Sequence, residues 1–346
     1  MSKVALLVNG TRYGGWTDIK VTLSMQRMSN AFELGYTEKW SDQPTPWPLN
    51  RGDACVLEMN GEPVITGYID DVLPSFSARE RTLRVTGRDK TGDLVDCSVV
   101  HATGQFKKQT LLQIATMLCQ PFEIPVSSDT DVGDPFKTFT IQQGETVFES
   151  LDRAARQRGV LLVADGKGGL LITRASRARV STALIEGENI LEGSGTFSNK
   201  ERFSLYQVKG ENQGLNSSTP EQNTQTFAEA KDPGVTRYRP LIVMTEQQGD
   251  KKAMTDRAQW EANVRSGRGS KATITVEYWS YDGKTLWRPN RRAPVKSGTL
   301  KIDGDRLLTD VVLTLNDSDG ELAQLSVCLP SAFELIALPE KEQEGL

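Results

Sequence analysis

Apolar and polar side chains alternate through the first hundred residues. Ile19, Val21 and Leu23 share one face, as do Phe32, Leu34 and Tyr36, with polar residues between them. A period of two predicts half-buried β-strands. Cys55, Leu57 and Met59 carry the pattern into Asn60-Gly61, whose tolerance of positive φ predicts a two-residue hairpin. Leu83 and Val85 mark a further strand before Gly87. From about residue 101 the period lengthens. Leu111, Ile114, Ala115 and Leu118 line one helical face behind a Thr110/Gln113 capping box. A second helix opens at a Thr146/Glu149 box and buries Val147, Leu151, Ala154 and Ala155. Its expected i,i+4 pairs are Glu149–Arg153 and Asp152–Arg156, and Gly159 is its stop. A hairpin is predicted around Asp165-Gly166-Lys167-Gly168-Gly169, between Val160–Ala164 and Leu170–Arg174.

Strands return after Arg179. Leu205–Val208 is one, and Ala272, Ile274, Val276 and Tyr278 alternate cleanly. A meander runs from Leu300 to Leu329, with turns at Asp303-Gly304-Asp305 and Asp319-Gly320. The polar stretch 212–226 reads as a loop and Ala253–Arg265 as a helix. The expected fold class is mainly β with an α/β insert. A first small β-barrel domain covers 1–100, and an α/β domain of two helices and a hairpin covers 101–178. A second, similar β-barrel covers 179–330, with the polar loop and helical insertion near 212–268, and 331–346 is a C-terminal tail. Trp47-Pro48-Leu49-Asn50-Arg51 is echoed by Trp287-Arg288-Pro289-Asn290-Arg291, each ahead of a hairpin and a long strand. Duplication is the favoured reading of that echo.

A chain of 346 residues exceeds what one core holds, which supports several domains. Its 41 basic and 45 acidic residues give a net charge of −4 and no whole-chain reason to bind nucleic acid. The apolar run Val4–Val8 is too short for a signal-peptide core, and no stretch is long enough for a membrane segment. The expected place of synthesis is therefore a cytosol. Cys55, Cys97, Cys119 and Cys328 lie far apart and read as small buried hydrophobes.

Catalysis has few candidates. His101 is the one histidine, without a nucleophile motif such as G-x-S-x-G, so no enzyme, metal or cofactor is expected. The glycines at 166–169 sit in a hairpin rather than a phosphate loop, and Asp317–Glu321 lacks the spacing of a calcium loop. Asp70 and Asp71 are adjacent on a strand and should face opposite ways. What stands out is residues 265–301, where nine Lys or Arg meet only Glu277 and Asp282, with Tyr278, Trp279, Tyr281 and Trp287 interleaved. Three readings fit this stretch: nucleic-acid contact, a solvated rim, or a protein interface anchored by Trp287, Arg288, Asn290 and Arg291.

One resemblance spans nearly the whole chain in order. It rests on Thr86-Gly87-Arg88-Asp89, Asp93-Leu94-Val95-Asp96, Gly144-Glu145-Thr146 and Gly187-Glu188-Asn189-Ile190-Leu191. It continues through residues 200–210, Arg237-Tyr238-Arg239-Pro240-Leu241, Arg257-Ala258-Gln259-Trp260-Glu261 and Leu286-Trp287-Arg288-Pro289-Asn290. Together these resemble the baseplate hub proteins of Mu-like contractile-tailed phages. The resemblance implies a homotrimer in the virion tail, partnered by the tail tube protein, the spike protein and other baseplate components. It implies two like β-barrels per subunit, giving a pseudo-sixfold ring, and no catalytic residues. The alternative from another class is a carbohydrate- or nucleic-acid-binding β-rich module.

Overall fold

The computed structural model describes residues 3–39, 48–78, 80–210, 227–245 and 251–334. The echo residue Trp47, the polar stretch 212–226 and most of the C-terminal tail lie outside them. The first region holds β1 (Val4–Val8), β2 (Thr11–Tyr13), β3 (Asp18–Ser24), β4 (Ala31–Lys39), β5 (Ala54–Met59), β6 (Glu62–Phe76) and β7 (Glu80–Asp89). As the alternation dictates, Ile19, Val21, Leu23, Phe32 and Leu34 are buried. Asn60 and Gly61 take φ of 51° and 83° at the β5–β6 turn, the left-handed pair that such a hairpin requires. Strand β7 runs on through Gly87 to Asp89. A Cβ on Gly87 would lie 2.4 Å from the Tyr68 carbonyl and 2.5 Å from the Phe32 ring, so the position is reserved for close approach.

A mixed α/β segment follows: α1 (Gly92–Asp96), β8 (Gln105–Gln109), α2 (Leu111–Cys119), β9 (Val126–Ser128), β10 (Phe136–Thr140), α3 (Val147–Arg158), β11 (Leu161–Ala164) and β12 (Leu170–Thr173). Both capping boxes form, and Gly159 ends α3 at φ 63°. Of the two expected ion pairs only Asp152–Arg156 is present, at 2.6 Å. Glu149 spends its carboxylate on the Thr146 backbone N–H, and Arg153 turns instead to Glu145 at 2.8 Å. The β11–β12 turn docks on the first region: the Thr66 hydroxyl donates to the Gly166 carbonyl at 3.1 Å. A side chain on Gly166 would strike the Val64 carbonyl, and its φ of 75° also asks for glycine.

The last region contains β13 (Leu184–Ile185), β14 (Glu192–Phe197), β15 (Leu205–Gly210), β16 (Phe227–Lys231), β17 (Pro240–Thr245), α4 (Lys251–Arg268), β18 (Ser270–Glu277), β19 (Arg292–Ser297), β20 (Ile302–Asn316) and β21 (Gly320–Cys328). Strands β15, β16 and β17 make a separate small sheet, on which α4 packs Met254, Ala258 and Ala262.

Strand order is the main result at this level. The first region runs β3-β4-β7-β6-β5-β1-β2 and the last runs β14-β18-β21-β20-β19-β13; leaving aside the three-residue β2, which has no counterpart, the order is the same when each set is counted along the chain. The sixth strands differ in direction, since β1 joins β5 antiparallel and β13 joins β19 parallel. Both regions centre on a 15-residue strand, β6 or β20, with a register shift after Ile69 or Leu308.

The structure departs from the expectation of two closed barrels. Strand β3 pairs antiparallel with the second half of β20, which joins both regions into one 13-stranded sheet. Among the described residues no sheet closes on itself, and the buried residues of both regions form one contiguous core. Pairing two edges with each other protects both, as closure would.

Candidate assembly site

The 286–292 segment folds back on its own region. Trp287 is 2% exposed, with its ring 5.3 Å from that of Tyr281 in an edge-on contact. Its indole Nε1 is buried without a partner among the described residues, whereas Trp279 donates to the Thr314 carbonyl at 2.9 Å. Above Trp287 an open cleft lies between the two β regions, lined by Lys3, Asn60, Tyr278, Tyr281 and Glu321. Lys3 and Glu321 pair across it at 2.6 Å. Asn290, at φ 58°, accepts from the Ser176 N–H at 2.7 Å and donates to the Arg174 carbonyl at 3.0 Å, tying down the chain that enters the last region. Arg288 is half-buried and reaches Glu62 at 3.6 Å, while Arg291 is exposed.

The echo aligns differently in space than in sequence. Asn290 N–H donates to the Leu308 carbonyl, and Gly52 N–H donates to the Ile69 carbonyl, each just before the register shift of the long strand. Both Gly52 and Asn290 have positive φ. The spatial counterpart of Asn290 is therefore Gly52 and not Asn50, two residues away from the sequence match.

The basic stretch forms no single stripe. Arg265 pairs with Glu261 at 2.9 Å on α4, Arg292 donates to the Ser176 carbonyl, and Lys271 and Lys296 stand on different strands. His101 is exposed, and its Nδ1 accepts from the Gly104 N–H at 3.1 Å. Among the described residues no group of His, Cys, Asp and Glu could hold a metal ion. Cys55, Cys119 and Cys328 are buried, with thiols pushed up to about 12 chiefly by that burial, and Cys97 is exposed. No helix among the described residues is long and apolar enough to cross a membrane.

A joint between strands far apart in sequence, which periodicity does not reveal, links the two β regions. From Asp310 opposite Ser24 to Leu315 opposite Ile19, β20 and β3 pair over six positions. The Ser24 hydroxyl donates to Asp310 at 2.6 Å, and the Gln26 amide donates to its other oxygen at 2.6 Å. The register shift in β6 also alters the Asp70-Asp71 expectation. Asp70 grips Arg88 at 2.8 Å and Asp71 accepts from the Thr86 hydroxyl at 3.1 Å. Arg88 and Thr86 share a face of β7, so the extra residue turns both carboxylates the same way. Arg88 also holds Asp96, and these two hydrogen-bonded carboxylates raise its pKa above the ordinary arginine value.

Known proteins match this architecture along most of the chain. Residues 3–89 match the N-terminal domain model of GpP-like Mu phage baseplate assembly proteins, and 250–336 match the GpP fourth domain. Residues 91–174 match the second domain of gp44-like baseplate hub proteins. The baseplate hub protein gp44 of Escherichia phage Mu is 33% identical over 338 residues, covering 95% of this chain and 88% of that protein. The crystal structure of the 43 kDa tail protein of prophage MuSo2 from Shewanella oneidensis superposes with a TM-score of 0.85 at 38% identity, over 96% of this chain and 99% of that one. A tail protein from Neisseria meningitidis shares the fold at 22% identity and a TM-score of 0.80, over 97% and 99% of the two chains. In sequence over nearly its whole length, and in fold, the chain belongs to the baseplate hub proteins of phage Mu and its relatives.

Proposed function

We propose that the chain acts as a homotrimeric hub on the axis of a contractile tail, joining the tail tube to the central spike by shape and not by catalysis. One observation carries the reading: the strand order of the first region recurs in the last. Three chains around an axis then present six like sheet units, so one ring can meet a sixfold tube on one side and a threefold spike on the other. In this reading residues 1–100 and 179–330 are the two ring modules, and 101–178 with the α4 insertion builds the part that receives the spike. Within 286–292, Arg288 and Arg291 are the side chains placed to meet a partner, while Trp287 and Asn290 hold the segment in position. Assembly takes place in the host cytoplasm before the particle is released.

The test is the mass of the purified protein in solution, followed by co-purification with the tube and spike proteins of the same phage. Three chains per particle and retention of both partners is the expected outcome. A chain that stays monomeric and retains neither partner overturns the proposal.

A further inference from the structure

The β3–β20 joint inside the chain is a template for the joint between chains, and the geometry points to a specific pair of edges. The inference rests on the trimeric reading above. With the common strand order as the guide, β3 corresponds to β14, and the second half of β20 corresponds to the second half of β6. Inside the chain, β3 and β20 are hydrogen-bonded to each other. Their counterparts are not: among the described residues β14 pairs only with β18, and β6 beyond Ile69 pairs only with β7. All six residues of β14 are exposed. Leu73 and Phe76 of β6 are 52% and 82% exposed, and Phe197 of β14 is 53% exposed. Two bare edges with outlying apolar side chains are what natural sheets avoid unless a strand is added to them.

Carrying the internal register over residue by residue places Asp71 opposite Ser198, Leu73 opposite Thr196 and Phe76 opposite Gly193 of the neighbouring chain. The correspondence preserves chemistry. Asp310 and Ser24 are hydrogen-bonded at the start of the internal joint, and Asp71 and Ser198 fall in the matching places. Phe197 takes the place of Leu23 and lies against Val72, the counterpart of Val311. Pro74 is tolerated on β6 because its nitrogen faces an unpaired edge, so the joint between chains has one donor fewer than the internal one. Its facing residue, Gly195, brings no side chain against the ring. The second copy therefore adds β14 to β6 in a head-to-tail contact. Repeated three times, that contact closes a ring of alternating internal and external joints.

Cross-linking tests the register. In a Cys97→Ser background the full-length double variant Leu73→Cys/Thr196→Cys should give disulfide-linked dimers and trimers under mild oxidation, and each single variant should give none. The out-of-register pair Leu73→Cys/Gly193→Cys is the control and should remain unlinked. Separately, Phe197→Pro, which removes a backbone N–H that faces the open edge of β14 and not β18, should shift the trimer to monomer at unchanged circular dichroism. A wild-type trimer whose in-register pair fails to cross-link, or cross-links no better than the control, overturns this joint and leaves the hub reading standing. A wild-type chain that is monomeric in solution overturns the trimeric reading itself.

Discussion

Asp89 shows how much one buried side chain can organise. It is 2% exposed and accepts from the N–H of Thr66 at 3.2 Å and of Asn30 at 3.1 Å, so its carboxyl ties β6, β7 and the start of β4 together. Asn30 passes the connection on by accepting from the Ser24 N–H at 3.0 Å, at the end of β3. Burial pushes the Asp89 carboxyl up to about 7, against the opposing pull of those backbone donors. The folded state thus holds a proton that the unfolded chain releases near pH 4 (about the ordinary carboxylate value). Stability from this group is full below that value, falls as pH rises, and is lost above about pH 7. Asp89→Asn should flatten the change in melting temperature between pH 5 and 8, a span worth up to about 3 kcal/mol in the wild type. The variant should also lose about 1–3 kcal/mol at pH 5, because an amide offers one acceptor where the carboxyl offers two. An unchanged pH slope would refute the assignment. Composition alone does not distinguish Asp89 from the chain's other acidic residues, since its pKa is set by burial among segments that are distant in sequence.

Among the elements, α3 is the one most completely specified by its own sequence. Thr146 accepts from the Glu149 N–H at 3.2 Å, Glu149 returns the bond at 2.9 Å, and Gly159 closes the other end. Thr146→Ala should cost about 1 kcal/mol in urea denaturation, and Thr146→Ser should restore most of it. An unaffected midpoint for the alanine variant would show that tertiary packing alone holds the helix. The hairpin at Asn60-Gly61 is equally local. Other elements owe their form to neighbours. Strand β7 continues through Gly87 because Phe32 and the Tyr68 carbonyl crowd that position, although the glycine by itself reads as a stop. The shift in β6 that turns Asp70 and Asp71 to one side exists only because β7 offers a register to depart from.

At the scale of the molecule, the β3–β20 joint decides the shape. Asp310 is its latch, holding Ser24 and Gln26 from one region and Thr309 from its own strand, the last at 2.9 Å. Asp310→Ala should cost about 1–3 kcal/mol and should speed amide exchange along Ile19–Leu23 while β6 and β7 stay protected. Uniform exchange across the sheet would show that the joint does not depend on the latch.

By itself the sequence determined what short-range physics can determine. Period-two alternation set the buried face of each strand, capping boxes started α2 and α3, and positive-φ residues placed the turns, because each depends on residues only a few positions apart. Tertiary structure decided which edges meet. Alternation specifies the face a strand buries but not the neighbour beside it, so two closed barrels and one continuous open sheet share the same pattern. It also decided that Trp287 lies in the core, that the basic residues of 265–301 scatter over several elements, and that Gly52 stands where Asn290 does. The contact between Ser24 and Asp310 spans 286 residues of chain. Only folding brings such groups together, because pairing of that range is selected by the fit of whole edges and not by any local preference.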